Sequence, residues 1–183
     1  MPPMFRSLLR SGALCALMAL SIAPEGHAAE TKTLGVFGSW TAYSFTENGK
    51  QVCYMAARPS KADGNFASRG DIYALITHRP GQKSLNVFSI VAGYAYSMDS
   101  EDLVQVSIGK RIFKLFTQGE RAWTHDDKAD QALSDAIRKG GADMIVRGKS
   151  MRNAETVDTY SLIGAPKALE AIDSACGVKP TGS

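Results

Sequence analysis

The stretch Ile72–Val91, IYALITHRPGQKSLNVFSIV, decides the fold class. It holds two short runs rich in β-branched and aromatic residues, Ile72–Arg79 and Ser84–Val91, parted by the turn signal Pro80-Gly81. Working outward, the same signature recurs at Thr33–Tyr43 and Gln51–Ala57 towards the N-terminus. Towards the C-terminus it recurs at Leu103–Ile108, Ile112–Thr117, Arg121–Thr124, Met144–Ser150 and Val157–Ile163. Leu103–Ile108 alternates cleanly, with Val104, Val106 and Ile108 on one face. Asn48-Gly49 and Gly109-Lys110 supply further turns.

Two segments break this pattern. Asp126–Lys139 places Ala129, Ala132, Leu133, Ala136 and Ile137 at helical spacing, with acids at its start and Gly140-Gly141 at its end. Pro166–Ala175 is the second helix, with proline in the first turn and Gly177 as a stop. A count of about nine short strands and two short helices predicts a mainly β protein, a β-sandwich with helical connections. Ser60–Gly70 is its one long polar loop.

The N-terminus predicts export. Arg6 and Arg10 precede an apolar run over Gly12–Ala23, and Gly26-His27-Ala28 offers small residues for cleavage. That run is shorter than the roughly 20 residues a membrane span needs. Residues 1–28 therefore read as a cleaved signal peptide and residues 29–183 as one domain of about 155 residues. The net charge of +3 falls to about +2 on cleavage, too little to argue for nucleic acid or an anionic membrane. No transmembrane segment is expected in the mature chain.

Cys15 leaves with the signal, so Cys53 and Cys176 remain in an oxidising compartment and predict one disulfide. It would close a loop of roughly 120 residues, worth up to about 5 kcal/mol on chain entropy. Free thiols and a redox pair are the alternatives, the latter normally needing close spacing.

No catalytic, cofactor or metal site is expected. Gly148-Lys149-Ser150 imitates the end of a phosphate loop, but Asp143 stands where its first glycine is needed. His78 and His125 have no ligand partners at useful spacing and read as surface residues. Asp99, Glu101 and Asp102 lack the spacing of a calcium loop. Tyr94 and Tyr96 share one face of an extended segment, so both are buried or both exposed; rim positions on the core are favoured over an interface.

The stretch Gly148–Leu162, GKSMRNAETVDTYSL, carries a resemblance. With Phe37-Gly38-Ser39-Trp40, Cys53-Tyr54, Arg79-Pro80, Gly93-Tyr94, Ala122-Trp123 and Cys176, it resembles the invasion-associated locus B family of exported bacterial proteins. The resemblance implies an immunoglobulin-like β-sandwich and no assigned catalytic residues. Two departures stand out: Asn153 replaces the family's usual glycine, and Ala165-Pro166 replaces a bulkier apolar residue.

Within the motif, Asp158 interrupts good strand formers and needs compensation, expected from Arg147, Lys149, Arg152 or backbone amides. Structural pinning of that hairpin is the favoured reading; a polar groove lined by Ser150, Arg152 and Asp158 is the other. Tyr94, Tyr96, Ser150, Arg152, Asp158 and Tyr160 are the candidate interaction or structural residues. The functional expectation is a periplasmic, non-enzymatic binding module for an unknown envelope or host protein, linked to host interaction or envelope stress. An envelope enzyme with an unrecognised polar site and a chaperone-like factor are the alternatives.

Overall fold

The computed structural model describes residues 30–66, 68–97, 104–141 and 143–180. The expected signal peptide and the acidic turn at 99–102 lie outside the described residues. Among the described residues, eleven strands and two α-helices follow one another: β1 (Lys32–Phe37), β2 (Trp40–Glu47), β3 (Lys50–Ala57), β4 (Lys61–Gly64), β5 (Tyr73–Arg79), β6 (Ser84–Val91), β7 (Val104–Ile108), β8 (Arg111–Gln118), β9 (Arg121–Trp123), α1 (Asp127–Arg138), β10 (Met144–Lys149), β11 (Glu155–Tyr160) and α2 (Ala165–Cys176). The excess over about nine has two sources. Gly38-Ser39 turns the chain and divides Thr33–Tyr43 between β1 and β2, and the polar loop contains the fully exposed β4.

Every pairing is antiparallel, in the order β1-β2-β3-β5-β6-β9-β8-β7-β10-β11-β4. β8 turns the corner between two leaves. Its residues Arg111–Leu115 pair with β7, and Phe116–Gln118 pair with β9. Side chains from both leaves and both helices join one core, including Trp40, Ile76 and Phe88 from the larger leaf and Val106, Met144 and Tyr160 from the smaller. The result is a sandwich-like, mainly β fold.

Local sequence sets these elements. Along β5, Ala74, Ile76 and His78 point inward while Leu75, Thr77 and Arg79 point outward, as a period of two requires. Asp126 caps α1, its carboxylate accepting from the Ala129 amide at 2.7 Å. α1 buries Leu133, Ala136 and Ile137; α2 buries Ala168, Leu169 and Ile172. Gly164, with φ of 86°, opens α2 where a Cβ would stand 1.9 Å from the Phe37 carbonyl oxygen, so no other residue fits there. Among the described residues no helix is long and apolar enough to cross a membrane.

Cys53 on β3 and Cys176 at the end of α2 form a disulfide with Cα atoms 6.0 Å apart. It lies beside a second tie. Asp173, three residues before Cys176, bonds His78, which is the register partner of Cys53. One face of α2 is thus fastened to two adjacent strands.

Candidate functional site

The motif residues meet where β10 and β11 pack beneath the segment Ala92–Ser97. Asp158 on β11 points into the protein and is 2% exposed. Its two carboxylate oxygens accept from Arg69 Nη1 at 2.7 Å and Nη2 at 2.8 Å. Arg69 donates further to the Ala92 carbonyl from Nε (3.1 Å) and Nη2 (2.8 Å). Burial works against the charged guanidinium, but the bonds and field of Asp158 outweigh it and raise Arg69 above its ordinary value. The pairing corrects the expectation for Asp158. Arg147 and Arg152 are exposed and Lys149 is half-buried on the hairpin, and the cation comes from the polar loop instead.

Aromatic rings enclose this pair. The Arg69 guanidinium lies 5.1 Å from the Tyr94 ring and 5.6 Å from Phe66, and those two rings stack at 5.0 Å. Tyr94 and Tyr96 are both buried, their rings edge to face at 5.1 Å. The Tyr94 hydroxyl bonds Thr156 Oγ1 at 2.7 Å. Tyr160 is fully buried, and its hydroxyl has no hydrogen-bond partner among the described residues. Burial pushes the phenols of Tyr94, Tyr96 and Tyr160 upward, so all three stay neutral. Gly148 makes the packing possible. A Cβ there would stand 2.6 Å from the Tyr94 hydroxyl oxygen and 3.0 Å from Tyr96 Cε1.

Ser150 holds the hairpin turn. It is buried, and its Oγ accepts from the Arg152 and Ala154 amides, each at 3.2 Å. Asn153 has φ of 59°, so this replacement for glycine still takes the left-handed conformation. Arg152 is the exposed member of the candidate set. With Phe66, Ser68, Tyr94 and Met151 it lines an open cleft of about 480 Å³. Five of the six candidates are therefore internal to the fold, and the cleft offers one cation, hydroxyls and an aromatic floor.

Two acids of the helical layer are also buried. His78, expected on the surface, is fully enclosed because it follows Ala74 and Ile76 on the inner face of β5. Its Nδ1 accepts from the Asn86 amide at 3.0 Å, so Nε2 carries the proton and donates to Asp173 Oδ1 at 2.9 Å. Arg138 Nη2 stands 2.8 Å from Asp173 Oδ2. An acid–histidine pair is part of a hydrolytic triad, but here neither ring nitrogen is left to activate a nucleophile. Asp130 accepts from the Phe88 amide at 2.7 Å and from the Thr124 hydroxyl. Burial raises its carboxyl above the ordinary value, and those two bonds oppose the rise.

The outer face of the larger leaf differs from both. Among the described residues no helix covers it, and it carries two pairs of stacked rings on neighbouring strands. Tyr43 and Tyr54 stack at 4.8 Å with Phe45 edge-on to Tyr54, and Phe116 and Trp123 stack at 5.7 Å. Between the pairs run Leu75 and Thr77 of β5 and Val87 and Ser89 of β6. The groove so formed measures about 570 Å³, with Arg79 and Arg121 also in its lining.

A family model described as the invasion associated locus B (IalB) protein matches residues 40–173. This span runs from Trp40 at the head of β2 to Asp173 beside His78, and includes the whole Arg69–Asp158 cluster. The chain belongs to the invasion associated locus B family. No curated protein and no solved structure matches it. Membership and the disulfide together fit a location outside the cytoplasm.

Some parts of this invasion associated locus B protein escaped the sequence. Arg69 sits in a polar loop 89 residues from Asp158, and no periodicity links them. His78 was legible, since the alternation Ala74, Ile76, His78 puts it on the apolar face. The outer groove gave a partial signal. Tyr43, Phe45 and Tyr54 mark strands, but where both faces of a strand are apolar the sequence does not say which is covered.

Proposed function

We propose that this protein is a non-enzymatic binding module of the periplasm that engages an envelope component through the open face of its larger leaf. The observation that carries the reading is the uneven cover of that leaf. Both helices lie on its inner side, while Tyr54, Trp123 and their stacked neighbours stand half-exposed on the outer side. A solvated face of an antiparallel sheet normally carries polar residues, and an exposed aromatic groove marks an interaction site. The His78–Asp173 pair is enclosed with both ring nitrogens engaged, so it serves as a tie between α2 and the sheet and not as an acid–base pair. Export rests on the N-terminal signal read from residues 1–28, with the disulfide and the family as support.

Photo-crosslinking in cells tests this. A photoreactive residue at Gln118 on β8, the register partner of the groove residue Arg121, should give a discrete adduct, whereas Lys128 on α1 and Glu170 on α2 should not. Adducts from the helices alone would overturn the reading. A second reading, a chaperone-like factor, is favoured by Ile112 (64% exposed) and Phe116 (40% exposed), which extend the apolar surface along β8. It predicts that the protein slows aggregation of an unfolded client and that Phe116→Ser weakens the effect.

A further inference from the structure

Resting on that reading of the open face, we propose that its groove binds a linear polysaccharide whose sugars carry carboxylates. The walls come first. Tyr54 on β3 and Trp123 on β9 are three strand spacings apart, about 14 Å. Each is stacked on its far side by a neighbour from the next strand, Tyr43 and Phe116, so each turns its other ring face towards the groove. Ring faces carry negative charge, and the weakly positive C–H groups on the flat side of a sugar suit them.

The floor supports a hydroxyl-rich chain better than a peptide. The backbone groups of β3, β5, β6 and β9 are paired with one another, so no strand can be added across the face. An extended peptide laid there would bring its own amides against Leu75, Val87 and the rings, with the Thr77 and Ser89 hydroxyls as the nearby partners. Amides buried so poorly cost more than they return. A sugar chain keeps its hydroxyls at the edges of each ring, where they reach those hydroxyls or water.

Charge selects the kind of sugar. Arg79 and Arg121 lie six register positions apart along β5, about 20 Å, near the two ends of the groove. Arg121 has no ion-pair partner among the described residues, and Arg79 meets Glu47 only at 3.4 Å. Asp126 and Asp127 line the adjoining cleft beyond Trp123. They would repel an anionic chain and hold its path along β5 and β6.

The two tryptophans give the test its reporter. Trp40 is fully buried and Trp123 half-exposed in the groove. Titration of the chain with polygalacturonate oligosaccharide should change Trp123 emission saturably at low salt and much less at high salt. By calorimetry, Arg121→Gln should weaken binding about fivefold, and Trp123→Ala should abolish it while circular dichroism stays unchanged. An uncharged linear glucan binding equally well, or oligothymidylate binding more tightly, would overturn the proposal. So would affinity unaltered in both variants. If no polysaccharide binds but the Gln118 adduct persists, the sugar assignment fails alone; if the adduct is missing as well, the binding face fails with it.

Discussion

Arg69 and Asp158, 89 residues apart in sequence, meet in a two-bonded ion pair at 2.7 and 2.8 Å with both side chains almost wholly enclosed. The pair fastens the loop after β4 to β11, and through the Ala92 carbonyl it reaches the end of β6. Three segments distant in sequence thus share one guanidinium. The arrangement explains why an acid sits between Val157 and Thr159 in a strand.

Removing one partner leaves the other charged and buried without its counter-ion. Asp158→Ala should therefore destabilise the fold by about 3–5 kcal/mol. The double variant Arg69→Met with Asp158→Leu should cost well under the sum of the two single changes, because no stranded charge remains. Denaturant midpoints of the wild type, Asp158→Ala, Arg69→Met, Asp158→Leu and the double variant decide this. A cost below about 0.5 kcal/mol for Asp158→Ala would mean that the pair does not hold the loop.

Gly148 provides a second test of the same cluster. Gly148→Ala puts a methyl group against the Tyr94 hydroxyl and should cost about 1–3 kcal/mol through overpacking. Tyr94→Phe removes the atom in the way, so the double variant should recover part of that loss. Thermal unfolding of both is sufficient. No rescue by Tyr94→Phe would show that the clash is relieved elsewhere.

The larger part of this architecture was readable from the sequence. Alternation marked the strands, and Asp126 and Gly177 marked helix ends, because local hydrogen bonding and burial leave a periodic trace. The shared face of Tyr94 and Tyr96 followed from the same rule, and both are buried. The site was harder. Arg69 looks like any loop arginine until β4 pairs with β11 and carries the following residues to Asp158. The groove depends on which side of the sheet the helices take, and that is decided by the disulfide, by His78 and by the apolar faces of α1 and α2 acting together.

Asp130 sets a pH dependence. Its carboxyl is raised in the folded protein by burial, from an ordinary value of 3.8. The folded state then binds the proton more tightly than the unfolded chain, so this residue's contribution to stability grows as pH falls through the raised value. It is complete below 3.8 and lost again as pH rises. Asp130→Asn cannot titrate. The stability of wild type relative to Asp130→Asn should therefore improve on acidification from neutral pH, measured by urea unfolding across that range. A difference that is flat, or that moves against wild type, would contradict the assignment.

The two ties on α2 make a final, separable prediction. Cys176 reaches Cys53 on β3, and Asp173, less than a turn earlier, reaches His78 on β5 directly opposite Cys53. For the chain from Ala29 onward, thiol titration after unfolding should find no free thiol before reduction and two after it. Reduction should lower stability by about 2–5 kcal/mol. Asp173→Leu leaves the His78 Nε2–H without its acceptor, at about 1–3 kcal/mol. Since each tie alone keeps the helix against the sheet, the α2 amides should stay protected from hydrogen exchange after either change by itself. Protection should collapse only when Asp173→Leu is also reduced. Free exchange of α2 on reduction of the wild type would instead make the disulfide the sole fastening, with His78–Asp173 too weak to hold the helix.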